Sequence, residues 1–535
     1  MPVSPVNGDI LRLDGETLSL EQVIAVARDF RQVALSPEAK VRMRRSRRLV
    51  EQWVRKRRVI YGITTGFGSL QNERIPPEAV EQLQENILLS HSAGVGDGLP
   101  EATVRAMMLL RANALAKGYS GIRVEVVERL LDLLNRRVHP VVPAKGSVGS
   151  SGDLAPLSHM ALVLIGRGEA MHEGVRLSGA EALGKAGIPI VQLKAKEGLA
   201  LTNGTQFMTA IGALTLWDAE RLAKLADIAG AMSLEAVRGF SAAFRPELQK
   251  LRPFAGQIAC AENVSKMIAG SRLIQRDHLS KRTAPRRADE DAPKPKVQDA
   301  YSLRCMPQVH GASREAMRFV RQTLEIEINS ATDNPLIMPD LSKSFSAGNF
   351  HGQPVALAMD FLALALAELG NIAERRIARL MNKHENFGLP AYLTDAAGLN
   401  SGMMLAQYTA AALVSENKVL IHPASGDSIP TSSNQEDHNS MGSIAARQAR
   451  QVLENVESVV AIELLCAAQA LGFHARERKK PGVGTSAAYQ TMRCHIPQRA
   501  SDQDGEIHVL IHEAERLVRD GTLLQAVEQA IGELS

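Results

Sequence analysis

Along residues 122–137, IRVEVVERLLDLLNRR, the apolar positions Ile122, Val126, Val127, Leu130, Leu131 and Leu134 recur at spacings of three and four. That spacing puts them on one face of a helix. Comparable patterns predict helices near 21–34, 37–57, 77–92 and 101–117, and in the second half near 205–235, 312–328, 353–382, 403–417 and 443–471. Pro354 suits the first turn of the 353–382 helix, where its missing N–H is no loss. Residues 8–20 read as an extended start or a short hairpin. The run HPVVPAKGS at 139–147 ends the 122–137 helix with two prolines. Beyond Pro156, LSHMALVLIGRG can be helical again. The stretch 280–297, SKRTAPRRADEDAPKPKV, has no periodic apolar face and reads as a mobile surface loop. The fold expected is mainly α, with a bundle of long helices in the C-terminal part.

Composition agrees: 45% hydrophobic and 22% charged residues over 535 positions are enough for a large core, and aromatics are scarce at 4%. The longest near-apolar run, residues 355–367, is too short to cross a bilayer and carries Asp360, so it reads as a helix buried among helices. The first twenty residues lack a basic segment followed by an apolar one, so no signal peptide is expected. The four cysteines, Cys260, Cys305, Cys466 and Cys494, form no CxxC pair and no zinc-like cluster with histidine, which fits a reducing cytoplasm. Net charge is only +4, yet residues 40–58 hold ten Lys/Arg against one Glu. Leu49, Val50, Trp53 and Val54 give that segment an apolar stripe, so a solvated helix face is preferred to a nucleic-acid or membrane patch.

Candidate chemistry centres on GSVGSSGDLAPLSH, residues 146–159. With the chain sharply bent, the amide nitrogen of Gly152 can approach the carbonyl carbon of Ser150, since glycine has no Cβ to obstruct it and Gly149 lets the preceding backbone turn. Closure with loss of water gives an imidazolone, and loss of a second water from Ser151 leaves an exocyclic methylidene. Such intramolecular geometry corresponds to effective molarities of roughly 10⁵ M or more. A serine–serine–glycine turn by itself is an ordinary polar loop.

In company it is more. The stretch resembles the prosthetic-group loop of the aromatic amino acid ammonia-lyases, which form a 4-methylidene-imidazol-5-one from Ala-Ser-Gly. Further resemblances follow in order from about residue 8 to about residue 500. They are YGITTGFG at 61–68, LLSHSAGVG at 88–96, EGLALTNGTQ at 197–206, VQDAYSLRCMPQVHG at 297–311, TDNPL at 332–336, GNFHGQPVA at 348–356 and PTSSNQEDHNSMG at 430–442. Here Ser150 stands where the family usually has alanine; it contributes its carbonyl to the ring, and Ser151 is the residue that loses its hydroxyl. The resemblance implies an electrophile made autocatalytically from Ser150, Ser151 and Gly152, with no metal and no diffusible cofactor. It implies β-elimination of ammonia from an amino acid, by covalent capture of the amine and general base catalysis. Tyr61 and Tyr301 take part in proton transfer and amine activation, and which of them is the base stays open. Arg304 is the carboxylate clamp, Asn203 and Gln298 hold the amino acid or the ring oxygen, and Phe350 lines the pocket. Asp153 is expected to cap the helix that follows it.

Two positions bear on the substrate. Ser90-His91 resembles histidine ammonia-lyases, as does Glu436, which is glutamine in the phenylalanine and tyrosine enzymes. A carboxylate accepts an imidazole N–H and favours the protonated ring, whereas a phenyl ring would leave it buried and unpaired. Conversely, GNFHGQP looks more like the phenylalanine/tyrosine branch, and Thr202 stands where histidine enzymes usually have leucine. Histidine to urocanate is the expected reaction, with a tyrosine or phenylalanine ammonia-lyase or aminomutase as the alternative. A catalytically silent helical oligomer and a nucleic-acid binder using residues 40–58 are the readings from other classes. The resemblance further implies a homotetramer with shared active sites. It implies a smaller N-terminal helical region at 1–205 carrying the tyrosine and prosthetic-group loops, and a long-helix oligomerisation core at 206–535.

Overall fold

The structure is a computed structural model that describes residues 10–275, 297–476, 478–496 and 504–535. The charged stretch read as a mobile loop lies outside them except for Val297. The chain divides into two compact units. One comprises Met1–Trp217, Val320–Asp360 and Pro423–Gln448; the other comprises Asp218–Phe319, Phe361–His422 and Ala449–Ser535. The fold is mainly α. Its bundle is made of four long helices, Gln206–Ala236, Met306–Ile328, Gln353–Met381 and Gly442–Arg476.

In the first unit the expected helices are present as Leu20–Arg28, Pro37–Arg55, Val80–His91, Glu101–Ala116 and Val124–Asn135. Val124–Asn135 buries Val126, Val127, Leu130, Leu131 and Leu134, the stripe seen in the sequence. This region also holds short strands. The extended start is not a hairpin: Leu11–Leu13 pairs in parallel with Val33–Leu35, Leu11 opposite Val33. Parallel neighbours need a crossover, here the Leu20–Arg28 helix, which ends early because Phe30, at φ 57°, turns the chain into the strand. Val138–Pro140, Glu169–His172 and Val175–Ser178 form an antiparallel three-stranded sheet, and Leu336–Met338 pairs with Lys343–Phe345. The basic helix Pro37–Arg55 is a solvated face over an apolar stripe. Val50 and Trp53 pack with Ile63, Val80, Ala195 and Ile337, while Lys40 pairs with Glu128 and Arg45 with Asp340.

The second unit contains helices that hydrophobic periodicity did not reveal: Ala255–Met267, Val483–His495, Ile507–Arg519 and Thr522–Ile531. Ala255–Met267 buries Cys260, Ala261, Val264 and Met267 together with Gly256, Gln257 and Asn263, an apolar stripe diluted by small and polar residues. Met306–Ile328 begins earlier than expected, with Pro307 in its first turn. Its core is ionic as well as apolar. Asp227 takes His310 Nδ1 at 2.7 Å, Arg314 at 2.8 Å and Asn263 at 2.8 Å. Arg376 bonds Glu463 at 2.6 and 2.8 Å, and Ser233 adds a third bond to Glu463. Asp227, Cys260 and His310 bring potential ligand atoms within 4.8 Å of one another, a proximity that sequence spacing did not show. Asp227, Arg376 and Glu463 are buried, Arg314 is partly so, and all four are paired, which keeps their desolvation from becoming prohibitive. Gln353–Met381 and Gly442–Arg476 are long and apolar enough to cross a membrane by length and composition, more than the run at 355–367 suggested, and most of each is buried inside the protein.

The start of the Gln206–Ala236 helix explains a misplaced cap. Asp153 precedes the helix Leu154–Leu162 but makes no side-chain cap bond to it. Its Oδ2 instead accepts the backbone N–H of Met208 at 3.0 Å, in the first turn of the long helix, and Ser147 Oγ donates to Oδ1 at 3.2 Å. The carboxylate thus satisfies an orphan donor at a helix N-terminus. Full burial raises the carboxyl from 3.8 to about 7, against the opposing pull of Met208 N–H and Ser147. A carboxyl that keeps its proton more tightly when folded stabilises the fold fully below its unfolded pKa, and that stabilisation drains away as pH climbs toward the folded value. Replacing Asp153 with asparagine keeps the acceptor and removes the titration. The melting temperature of Asp153→Asn is therefore expected to gain on the wild type from about pH 4 to about pH 7; a difference that stays constant across a pH series would contradict this.

Candidate active site

The loop at 147–152 is fastened from two sides. Ser440 Oγ donates to the Gly149 carbonyl at 3.2 Å, Met441 N to the Val148 carbonyl at 3.0 Å, and Ser443 Oγ to the Ser147 carbonyl at 2.5 Å. Within the loop, Gly149 N donates to Ser147 Oγ at 3.1 Å. Opposite, Gly152 bridges Gly204, and Asp153 N donates to the Gly204 carbonyl at 2.7 Å. Gly149 and Gly152 have φ of 68° and 73°, which favour glycine. A Cβ on Gly152 would stand 2.1 Å from the Gly204 oxygen, and one on Gly149 would stand 2.2 Å from Ser440 Oγ. Both glycines are therefore required by conformation and by space.

Two of the predicted residues, Asn203 and Glu436, meet Ser151 directly. Ser151 Oγ donates to Glu436 Oε1 at 2.9 Å, and Thr431 Oγ1 donates to Glu436 Oε2 at 2.7 Å. Asn203 Nδ2 donates to the Ser151 carbonyl at 3.3 Å. Asn203 Oδ1 is buried without a hydrogen-bond partner. Ser150 is half-buried, with its side chain beside this cluster in sequence and its carbonyl one residue before Ser151. Phe350, half-buried, lies on the turn before Gln353–Met381, and the adjoining Gly352 packs against Met208 and Ser440.

The tyrosine loop reaches the same place. Tyr61 Oη accepts the N–H of Gly68 at 3.2 Å. Ser69 N donates to Ser432 Oγ at 3.4 Å and Gln71 Nε2 to Gln435 Oε1 at 3.2 Å, tying this loop to the segment that carries Glu436. Burial raises the Tyr61 phenol above its usual value, and the Glu436 charge adds to this while the Gly68 N–H opposes it. His91 shares a 3.0 Å hydrogen bond with Ser90 Oγ. Burial lowers its imidazole, against Ile87 and Glu436, so the ring is neutral near pH 7. Its segment is held by Gly94 N donating to His159 Nε2 at 3.0 Å and by Val95–Gly98 pairing with Pro143–Lys145, just before the loop.

Gln298, Tyr301 and Arg304 belong to the second unit, where they form a cluster of their own. Tyr301 is 70% exposed. The Arg304 guanidinium lies 4.5 Å from the Tyr301 ring centroid, and its Nε donates to the Asp299 carbonyl at 2.9 Å. Arg376 Nη1 donates to the Ser302 carbonyl at 3.4 Å, anchoring the Tyr301–Arg304 turn to the buried ionic core. Gln298 and Arg304 line a cavity of about 330 Å³ with Phe240, Asp299, Cys305 and Gln308. A cavity of about 540 Å³ in the first unit, bordered by Phe30, Glu101, Arg137 and His139, contains none of the predicted residues.

Sequence reasoning missed the residues that hold the site rather than form it. Thr431 and Ser440 were visible only as polar members of a quoted motif, Ser443 lay one residue beyond it, and Gly204 appeared only as the neighbour of Asn203.

The sequence profile for "Aromatic amino acid lyase" matches residues 18–494. The histidine ammonia-lyase of Alkaliphilus oremlandii is 52% identical over 521 residues, covering 97% of this chain and 99% of that one. The crystal structure of histidine ammonia-lyase from Trypanosoma cruzi superposes with a TM-score of 0.87 at 40% identity, over 98% of this chain and 96% of that one. The tyrosine aminomutase of Streptomyces globisporus superposes with a TM-score of 0.92 at 38% identity, over 98% and 100% of the two chains. With a family profile spanning residues 18–494 and a relative 52% identical over nearly the whole of both chains, the chain belongs to the aromatic amino acid lyase family.

Proposed function

We propose that this protein is a carbon–nitrogen lyase that eliminates ammonia from L-histidine to give urocanate. The observation that carries the reading is the Glu436 carboxylate, 2.9 Å from the hydroxyl of Ser151. A methylidene-imidazolone closed from Ser150, Ser151 and Gly152 fits the residues present. Asn203 already donates to the Ser151 carbonyl oxygen, its own Oδ1 is buried and unpartnered, and two glycines hold the bend. Such a group supplies an electrophilic carbon for an amine, which no ordinary side chain offers.

The chain's own residues then divide the remaining work. When Ser151 gives up its hydroxyl, Glu436 Oε1 loses that donor and is free to accept the N–H of a substrate imidazole, while Thr431 keeps Oε2 in place. A phenyl or phenol ring presents no N–H there. His91, neutral, borders the same space. Tyr61 holds its proton at neutral pH and handles a proton at its phenolic oxygen. Arg304, stacked on Tyr301, is assigned to the substrate carboxylate, and Gln298 to the amino acid backbone. Phe350 is assigned to the wall of the pocket. We assign Gln298, Tyr301 and Arg304 to a site shared between chains of a homotetramer. Residues 1–205 would then carry the electrophile and tyrosine loops, and 206–535 the oligomerisation core. A cytoplasmic enzyme of histidine catabolism fits the four free cysteines.

A second reading, a tyrosine-directed lyase or aminomutase, draws on the 38%-identical aminomutase fold and on the GNFHGQP motif. Incubating the purified protein separately with histidine, tyrosine and phenylalanine distinguishes the two. Ultraviolet absorption of urocanate is expected; coumarate, cinnamate or a β-amino acid in its place would establish the second reading. Glu436→Gln is expected to lower kcat/KM for histidine by roughly tenfold or more, through loss of a charge-assisted bond, with a smaller change for an aromatic substrate. Equal losses on both substrates would refute the imidazole contact. Tyr61→Phe should lower turnover by about 10²–10⁴, yet leave a chain still lighter by two waters in intact mass. Because burial raises the Tyr61 pKa above the ordinary phenol value, wild-type kcat/KM should still be climbing at pH ~10, where a free phenol is half-ionised, and a pH profile with no Tyr61-dependent limb would count against its part in proton transfer.

A further inference from the structure

Beneath the loop lies a buried cation that the reaction itself does not use. Arg111 sits in the middle of Glu101–Ala116, among Leu109, Leu110, Ala112 and Leu115, and is fully buried. Its Nη1 donates to the Asn203 carbonyl at 2.7 Å and to Gln206 Oε1 at 2.7 Å. Gln206 Nε2 in turn donates to Thr332 Oγ1 at 2.6 Å. The Nε and Nη2 of Arg111 are buried with no hydrogen-bond partner. A guanidinium held dry with two idle donors is costly unless its position serves something else. Nearby, Lys196 pairs with Asp333 at 2.9 Å, so the one carboxylate with an electrostatic pull on Arg111 is already engaged.

The packing shows what that position serves. Gly204 lies between Arg111 and the loop. A Cβ on Gly204 would be 2.3 Å from Arg111 Nη1, 2.4 Å from Gln206 Oε1 and 2.6 Å from the Thr332 oxygen. From the other side, the Gly204 oxygen is where a Cβ on Gly152 would have to go. The order is therefore guanidinium, Asn203–Gly204 turn, Ser151–Gly152 bend, with no slack between them. We infer that Arg111 is a positioning residue for closure of the prosthetic ring, holding the Asn203–Gly204 turn as a rigid backstop against which Gly152 is pressed toward the Ser150 carbonyl. The inference rests on the proposed lyase reading.

The step it assists balances as follows. A bond forms between the Gly152 nitrogen and the Ser150 carbonyl carbon. The Ser150 carbonyl oxygen departs as water with the amide hydrogens of Gly152 and Ser151. The Ser151 hydroxyl then departs as a second water with its Cα hydrogen. Arg111 gives up and receives nothing; it fixes the geometry in which the first bond can form.

The test is intact mass over time after synthesis, with folding followed in parallel by circular dichroism. Arg111→Met removes both bonds to the turn. It is expected to slow the two-water loss by roughly 10- to 100-fold, so that newly purified protein is largely at full mass. Arg105→Met is the control. Arg105 is equally buried in the same helix, but its bonds go to the Val26 and Leu134 carbonyls and to His139; this variant should mature at the wild-type rate. If Arg111→Met does not fold, Arg111→Lys decides, since its ammonium reaches one acceptor in place of two and an intermediate rate is expected. A soluble, folded Arg111 variant that loses both waters as fast as wild type overturns the inference, as does an equal delay in Arg105→Met. A wild-type chain that stays at full mass overturns the lyase reading itself.

Discussion

The distance of closest approach between two backbone segments, Gly152 and the Gly204 carbonyl, governs this protein. No side chain fits between them, and the hydrogen bond from Asp153 N fixes their register. Everything nearby serves that contact. Arg111 holds the far side of the turn, the serines at 440 and 443 hold the loop's flank, and Asp153 carries the same register into the first turn of a long helix. Small movements are expensive in so dense a region because close-packed groups are displaced together rather than singly. Rigidity of this kind suits a site whose electrophile must be made from main-chain atoms.

Charge is used in two distinct ways. In the second unit, Asp227, His310, Arg314, Arg376 and Glu463 neutralise one another inside a helix bundle, and the Arg376 bond to the Ser302 carbonyl passes that order on to the turn bearing Tyr301 and Arg304. Near the loop, charge is left to act on groups that titrate or bind. Burial raises the Tyr61 phenol and Glu436 adds to it, while at His91 Glu436 opposes the stronger effect of burial. Glu436 differs from those structural charges in that one of its two partners is the hydroxyl of Ser151, on the loop itself.

Much of this was legible in the sequence, for reasons that differ by region. Most helices of the first unit and the four long ones announced themselves through recurring apolar positions, whereas the short Gly179–Ala186 and Glu197–Thr202 did not. The helix Ala255–Met267 was missed too, since glycine, glutamine and asparagine dilute its buried face. The parallel pairing of residues 11–13 with 33–35 is a tertiary choice that three-residue strands cannot signal. At the site, Ser151, Asn203 and Glu436, all named from motifs, are joined by hydrogen bonds, and the Glu436 charge is felt at Tyr61 and His91. That Gln298, Tyr301 and Arg304 stand in another unit is invisible in a linear string. Asp153 illustrates a subtler limit: a carboxylate next to a helix start was read as capping that helix, whereas it caps one that begins more than fifty residues later. Arg111 had a signal, an arginine within MMLLRANALA, and only its partners show what it is for.

The clamp on the loop has a consequence for timing. Ser147 is tied to Ser443, 296 positions away, and Gly149 to Ser440, 291 positions away. While the ribosome is still making the middle of the polypeptide, one jaw of that vice does not yet exist. Until residues 440–443 have been made, that hold on the loop is incomplete. On the proposed closure at 150–152, ripening of the electrophile falls late in the birth of each molecule, which keeps a reactive carbon off an unfinished chain.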